Sequence, residues 1–153
     1  MRLSPPLLAL LPLALALPMS APADAEGSKP APDCSLTDTT GKVQKLSALK
    51  GKYVVLEWTN YDCPFVKKHY GSNNMQALQK TWTGKGVVWL SINSSAAGKQ
   101  GNYAAARWQE MMKEKASHAT ALLLDSDGKV GQLYGAKTTP HIFIIDPTGK
   151  LIY

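Results

Sequence analysis

The feature that most constrains this fold is an apolar segment followed by a cysteine and then by a helix-forming segment. Residues Tyr53–Trp58 are β-branched, apolar and aromatic, a pattern typical of a buried strand. The residues after Cys63 have helical spacing, which predicts Met75, Leu78 and Trp82 as an inward-facing stripe. Cys63 therefore lies where a strand ends and a helix begins. Because unpaired backbone N–H groups and the helix dipole stabilise a thiolate there, this position predicts a reactive thiol.

The rest of the chain alternates between apolar strands and amphipathic segments. Strands are predicted at Val43–Leu46, Tyr53–Trp58, Val87–Ile92, Ala121–Leu124, His141–Ile145 and Leu151–Tyr153. Helices are predicted over residues 63–82 and 102–115, with a short helix or turn over 129–134. In the second helix we expect Tyr103, Ala106, Met111 and Trp108 to face inward. Such alternation predicts an α/β protein with a layered sheet.

Two separated segments resemble the thioredoxin superfamily. Glu57 falls at the position of the family's buried acid, and residues 63–66 (Cys-Pro-Phe-Val) cover its Cys-x-x-Cys motif. Thr139 and Pro140 match the family's cis-proline segment, which precedes a central strand. Residues 31–46 resemble the N-terminal hairpin of peroxiredoxin-like and periplasmic thiol–disulfide members, and the residues around Cys63 look closest to a peroxiredoxin-like branch. The resemblance implies a thioredoxin-like domain over residues 33–153, with a central mixed sheet and an N-terminal β-hairpin.

The same resemblance sets an expectation for the C-terminal end. Thioredoxin-like domains normally continue from the last hairpin strand into a closing helix, but this sequence stops at Tyr153. We therefore expect either a truncated chain or a domain that lacks the C-terminal helix.

Two positions depart from the family patterns. Val66 occupies the place of the second cysteine, so an internal Cys-x-x-Cys disulfide is excluded. Asn60 stands where peroxiredoxins carry a threonine, and Thr59 lies one step away. Peroxidase chemistry of the usual peroxiredoxin kind is therefore not what these motifs favour.

The first 25 residues have the pattern of a secretory signal peptide. Arg2 precedes an apolar stretch over residues 7–17, and residues 23–25 (Ala-Asp-Ala) fit a small-x-small cleavage site. The alternatives are an uncleaved anchor or an apolar tail that does not fold. Residues 26–32 are predicted to be a flexible leader. We expect export to the periplasm or the extracellular space, with no stable membrane anchor after signal removal.

The other candidate residues each have more than one interpretation. Cys34 can be a buried spectator, a resolving thiol, or the partner of Cys63 in a static disulfide. Glu57 can relay protons, as the matching family acid does, or be a structural acid satisfied by a partner. Pro140 is expected to place the Thr139 backbone beside the thiolate, unless it is an ordinary trans proline. Lys67 is expected to lower the thiol pKa, with Lys68 and His69 close by.

Other chemistries find little support in the sequence. The net charge of +6 is spread along the chain, which argues against nucleic-acid binding. The three histidines have no paired spacing, so no metal site is predicted. No phosphate loop or dinucleotide fingerprint occurs, and no cofactor is expected. A Cys–His hydrolase lacks any signal for an oxyanion hole.

These expectations combine into an exported thiol–disulfide oxidoreductase with Cys63 as its nucleophile. The expected partners are a disulfide-bearing protein, or a small thiol or peroxide, together with an external reducing partner, since Val66 cannot resolve a mixed disulfide. The alternatives are a peroxide reductase and a non-catalytic module that binds extended peptides beside Pro140.

Overall fold

One mixed β-sheet with helices on both faces forms the part of the chain that the computed structural model describes, residues 29–153. The strands are β1 Lys29–Pro30, β2 Ser35–Asp38, β3 Val43–Lys45, β4 Val54–Trp58, β5 Val88–Asn93, β6 Ala121–Leu124, β7 His141–Ile145 and β8 Lys150–Leu151. The α-helices are α1 Pro64–Gly71, α2 Asn74–Thr83, α3 Ala105–Glu114 and α4 Lys129–Tyr134, and a 3₁₀ turn covers Leu46–Leu49.

The sheet has eight strands in the order β1-β8-β7-β4-β5-β6-β2-β3. Strands β4, β5 and β6 are parallel, whereas β7 runs antiparallel to β4 on its other side. Strands β2 and β3 form an antiparallel hairpin that joins the sheet through β6. The predicted central mixed sheet and N-terminal hairpin are confirmed.

Alternation along β4 divides the core into two layers. Val54, Leu56 and Trp58 point to one face, here called the Trp58 face, where they pack with residues of β7 and α4. Val55 and Glu57 point to the opposite side, here called the Glu57 face, which is covered by α1, α2 and α3. Because β4 lies in the middle of the sheet, all five of its residues are buried.

The helix predicted over residues 63–82 is two helices. Asn73 adopts a left-handed conformation, with φ of 58°, and separates α1 from α2. Within α2, Leu78 and Trp82 are 40% and 43% exposed, so the prediction that they face the core is wrong. Gln76 and Gln79 are buried in their place. Met75 is buried as predicted, and an open apolar groove lies between it and the exposed pair.

The inward face of α3 was predicted only in part. Trp108 is fully buried and Met111 is nearly so, as expected. Ala106 is exposed, and Tyr103 precedes the helix and is 37% exposed, so these two predictions are wrong. Tyr103 lies outside the helix, and its hydroxyl donates to Asp62, beside the predicted nucleophile.

The inner end of the predicted leader pairs with the sheet. Lys29–Pro30 pair with β8, and the Pro32 carbonyl accepts a 2.6 Å hydrogen bond from the Tyr134 hydroxyl. The predicted signal peptide and the first residues of the leader lie outside the described residues. No helix between residues 29 and 153 has the length and apolar character needed to cross a membrane.

Candidate active site

Cys63 lies at the junction of three elements. It is the N-cap residue of α1, its backbone is extended, and Pro64 begins the helix. Its amide N–H donates to the Asn60 carbonyl in the turn that follows β4. Its Sγ lies 3.3 Å from the carbonyl oxygen of Thr139, and the peptide bond between Thr139 and Pro140 is cis. Residues that are 76 positions apart therefore meet at one sulfur atom.

The surroundings of this sulfur favour the thiolate. Partial burial raises the pKa of the Cys63 thiol, but the Thr139 side chain and the amide N–H groups of Val66 and Phe65 outweigh this effect. The net result is a pKa below the usual value for cysteine. Both amides belong to the first turn of α1, where N–H groups have no helical partner. Lys67, one turn after Cys63, is exposed and makes no ion pair within residues 29–153, so its effect on the thiol stays a prediction.

The turn before Cys63 is held by a loop that follows β5. Asn60 accepts a hydrogen bond from the Asp62 amide and donates one to the Gln100 carbonyl. The Tyr103 hydroxyl donates to the Asp62 carboxylate at 2.5 Å. Gly101, which has a φ of +83°, packs directly against the Asn60 side chain. These contacts had no sequence signal, because Gly-Asn at 101–102 predicts a turn but not what the turn touches.

Glu57 is satisfied by neutral donors. Its Oε1 accepts from the Tyr70 hydroxyl, and its Oε2 accepts from Gln79, Trp89 and Ser91, at distances of 2.8–3.2 Å. Complete burial raises the pKa of this carboxyl, and the four donors offset part of the increase. No hydrogen bond joins Glu57 to Cys63 in the part of the chain that the structure describes. The expected proton relay therefore stays a prediction, whereas the four hydrogen-bond donors to the Glu57 carboxyl are observed.

Neither Val66 nor Cys34 places a second thiol beside Cys63. Val66 stands at the second motif position and is buried in the core of the Glu57 face. Cys34 packs on the Trp58 face, whereas Cys63 packs on the Glu57 face, so the sheet lies between them. Both thiols are free. Burial and the nearby Asp33 raise the pKa of Cys34 to about 11. The site thus unites Cys63, Thr139 and Pro140 and does not include Cys34.

This fold and site define a class of protein: a thioredoxin-like domain with a partly exposed thiol at a helix start beside a cis-proline. Residues 28–153 match the model of the AhpC/TSA family, and the chain belongs to that family. The prediction of a thioredoxin-superfamily protein is confirmed.

The relatives agree with this class. The chain is 31% identical over 127 residues to the thiol–disulfide oxidoreductase ResA of Bacillus subtilis, covering 83% of this chain and 65% of the relative. An uncharacterised conserved protein from Geobacillus kaustophilus is 27% identical, with a TM-score of 0.73 over 82% of this chain and 66% of that one. An exposed lipoprotein thioredoxin from Streptococcus pneumoniae is 26% identical, with a TM-score of 0.61 over 80% and 87%.

These similarities support a redox function and leave its details open to proposal. The chain spans about two thirds of the length of the ResA relative and of the G. kaustophilus protein.

Proposed function

We propose that this chain is an exported thiol–disulfide oxidoreductase that uses Cys63 as its nucleophile. The observation that carries the proposal is the position of Cys63, whose sulfur lies at the start of α1 and 3.3 Å from the Thr139 carbonyl. The names of the ResA and thioredoxin relatives point to the same chemistry. The signal pattern in residues 1–25 and the exposed lipoprotein among the relatives support export.

The reaction begins when the Cys63 thiolate attacks one sulfur of a substrate disulfide. A new bond forms between Cys63 Sγ and that sulfur, the substrate S–S bond breaks, and the second substrate sulfur leaves as a thiolate. Thr139 and Pro140 act as positioning residues, because backbone groups beside the sulfur can pair with an extended substrate segment. An external thiol then resolves the mixed disulfide, since Val66 has no sulfur. Lys67 adds positive charge one turn from the thiolate, and Glu57 holds α1 and α2 against the sheet through Tyr70 and Gln79.

The pH dependence of alkylation tests the nucleophile. We expect Cys63 to react with iodoacetamide at pH 6.5 faster than a model thiol, whose pKa is about 8.5, because more of it is ionised. Cys34, with a pKa of about 11, should react far more slowly even at pH 8.5. Mass spectrometry of the two cysteine peptides measures both rates in one sample. Cys34→Ser is the matched control and should leave the Cys63 rate unchanged. A Cys63 rate equal to that of the model thiol would remove the basis of the proposal.

Trapping experiments test the reaction itself. Incubation of the reduced protein with a disulfide-bearing protein should give a mixed disulfide through Cys63 that disappears in Cys63→Ser and persists in Cys34→Ser. If neither a mixed disulfide nor reduction of the substrate is seen, the non-catalytic peptide-binding alternative is favoured instead.

Membership of the AhpC/TSA family favours peroxide reduction as the second candidate. In that reaction the Cys63 thiolate attacks the peroxide O–O bond, becomes a sulfenic acid and releases the alcohol or water. The site argues against efficient peroxide chemistry, because the Asn60 side chain is engaged with Gln100 and Asp62, and the buried Thr59 hydroxyl has no hydrogen-bond partner among residues 29–153. Peroxide consumption, followed with wild type and Cys63→Ser, separates the two functions.

A further inference from the structure

A small polar cleft adjoins the reactive sulfur. It has a volume of about 250 Å³ and lies between the ends of β4 and β5 and the segment that precedes Pro140. Its wall includes the residues Asn60, Ser94, Ser95, Lys137, Thr138 and Thr139. Two of these residues contact Cys63 directly, since the Asn60 carbonyl accepts from its amide and the Thr139 carbonyl from its thiol. Cys63 is not itself part of the wall, so a molecule joined to its sulfur would extend past Thr139 into the cleft.

The charge on the wall of the cleft is positive. Lys137 is the one charged residue among those that line the cleft, and its exposed ammonium makes no ion pair within residues 29–153. The nearby carboxylate of Asp125 is already bound by Ser94 at 2.6 Å and by the amides of Val130 and Gly131. The cleft thus offers a cation together with hydroxyl groups and has no carboxylate on its wall. This combination suits a small polar molecule that bears a carboxylate.

The proposed thiol chemistry needs a second thiol that resolves the mixed disulfide on Cys63. Under the proposed function, on which this inference rests, a mixed disulfide on Cys63 must be resolved from outside. Val66 has no sulfur, and Cys34 lies across the sheet with a raised pKa. We infer that the cleft seats a low-molecular-weight thiol bearing a carboxylate, such as cysteine or a short cysteine peptide, as a mixed disulfide with Cys63.

The reaction sequence balances with two such thiols. The first small thiolate attacks Cys63 Sγ, and the bond between Cys63 and the substrate breaks. The substrate sulfur leaves with the electron pair and takes up a proton. A second small thiolate then attacks the sulfur of the molecule held in the cleft and releases the Cys63 thiolate. One substrate disulfide is reduced to two thiols, and two small thiols are oxidised to one small disulfide.

The charge preference of Cys63 tests this inference. The reduced full chain is mixed with three symmetric disulfides of similar size: 3,3′-dithiodipropionate (anionic), 2-hydroxyethyl disulfide (neutral) and cystamine (cationic). Rates of Cys63 thiolation are measured by mass spectrometry and divided by the rates for 2-mercaptoethanol. We expect the anionic disulfide to react about fivefold faster than the neutral one, the effect of one partly exposed ion pair. Cystamine should react most slowly.

Two lysine variants separate the cleft from the general positive charge of the protein. Lys137→Ala should abolish the preference for the anionic disulfide. Lys42→Ala removes an exposed cation from the β2–β3 hairpin, at the far edge of the sheet and outside the cleft, so it should leave the three rates and their ratio unchanged. An unchanged ratio in Lys137→Ala, or an equal loss of preference in both variants, would overturn the inference.

A third variant tests the space itself. Ser95→Leu should fill the cleft and slow thiolation by all three disulfides at least fivefold. Alkylation by iodoacetamide should keep its rate, because this reagent does not have to bind in the cleft. Thiolation as fast as in wild type would contradict the inference. If wild-type Cys63 reacts with none of the disulfides faster than a model thiol, the proposed function fails as well. If it reacts rapidly with all three without a charge preference, the cleft inference alone fails.

Discussion

Gly101 is expected to be the most sensitive glycine in the described part of the chain. Its φ of +83° is a conformation that residues with a Cβ adopt only with strain, and its backbone packs against the side chain of Asn60. A Cβ at this position would lie 2.6 Å from three atoms of the Asn60 carboxamide. Gly101→Ala must therefore displace Asn60, which lies in the turn leading to Cys63.

The magnitude follows from what Asn60 would lose. An alanine in the left-handed region costs about 1 kcal/mol. Rotating the Asn60 side chain away breaks its hydrogen bonds to the Asp62 amide and the Gln100 carbonyl, each worth about 1 kcal/mol. We therefore expect Gly101→Ala to lower the free energy of unfolding by about 3 kcal/mol. Urea unfolding followed by tryptophan fluorescence measures this value.

Gly98 provides the matched control. It lies in the same loop with a φ of +72°, but no atom lies within 4 Å of where its Cβ would be. Gly98→Ala should therefore cost only the backbone strain of about 1 kcal/mol.

A double mutant then isolates the clash. Asn60→Ala alone should cost about 2 kcal/mol, and the double variant with Gly101→Ala should be no less stable than Gly101→Ala. Additive costs, or equal costs for Gly98→Ala and Gly101→Ala, would refute the argument that the loop and the turn are coupled through Asn60.

Two further predictions concern the interior of the site. Val66→Cys restores the motif spacing within α1, so it should form a disulfide with Cys63, seen as the loss of two free thiols under mild oxidant; a variant that stays fully reduced contradicts the alignment of the motif. Because burial raises the pKa of Glu57 above its ordinary value of 4.5, its contribution to stability is present below that value and is lost as pH rises through the folded-state pKa. Glu57→Gln should flatten the decline in unfolding free energy as the pH rises above 4.5, measured by urea unfolding. Identical slopes for both proteins would show that Glu57 does not titrate differently in the fold.

Local sequence was sufficient to predict that Cys63 lies between a strand and the start of a helix. The strand ending near Trp58 and the helix beginning after Cys63 follow from hydrophobic pattern and chain order alone, because both are properties of neighbouring residues. The position of Thr139 beside the sulfur required the family resemblance in addition. No pattern within residues 137–145 states which distant residue that segment will contact.

Side-chain direction on the helices and the contacts between loops depended on packing across the sheet. Leu78 and Trp82 match a helical stripe, yet Gln76 and Gln79 are buried in α2 beside Met75, because Gln79 donates to the buried Glu57 carboxylate. Hydrophobicity cannot predict that exchange, since its cause is a buried acid on another element.

The separation of the two cysteines has the same origin. Alternation along a strand shows that neighbouring residues face opposite sides, but it does not show which side a distant segment will cover. Cys34 and Cys63 read in the sequence as a plausible pair. They lie on opposite faces because the hairpin segment packs on the Trp58 face and α1 packs on the Glu57 face. The spatial order of the strands in the sheet fixes this arrangement.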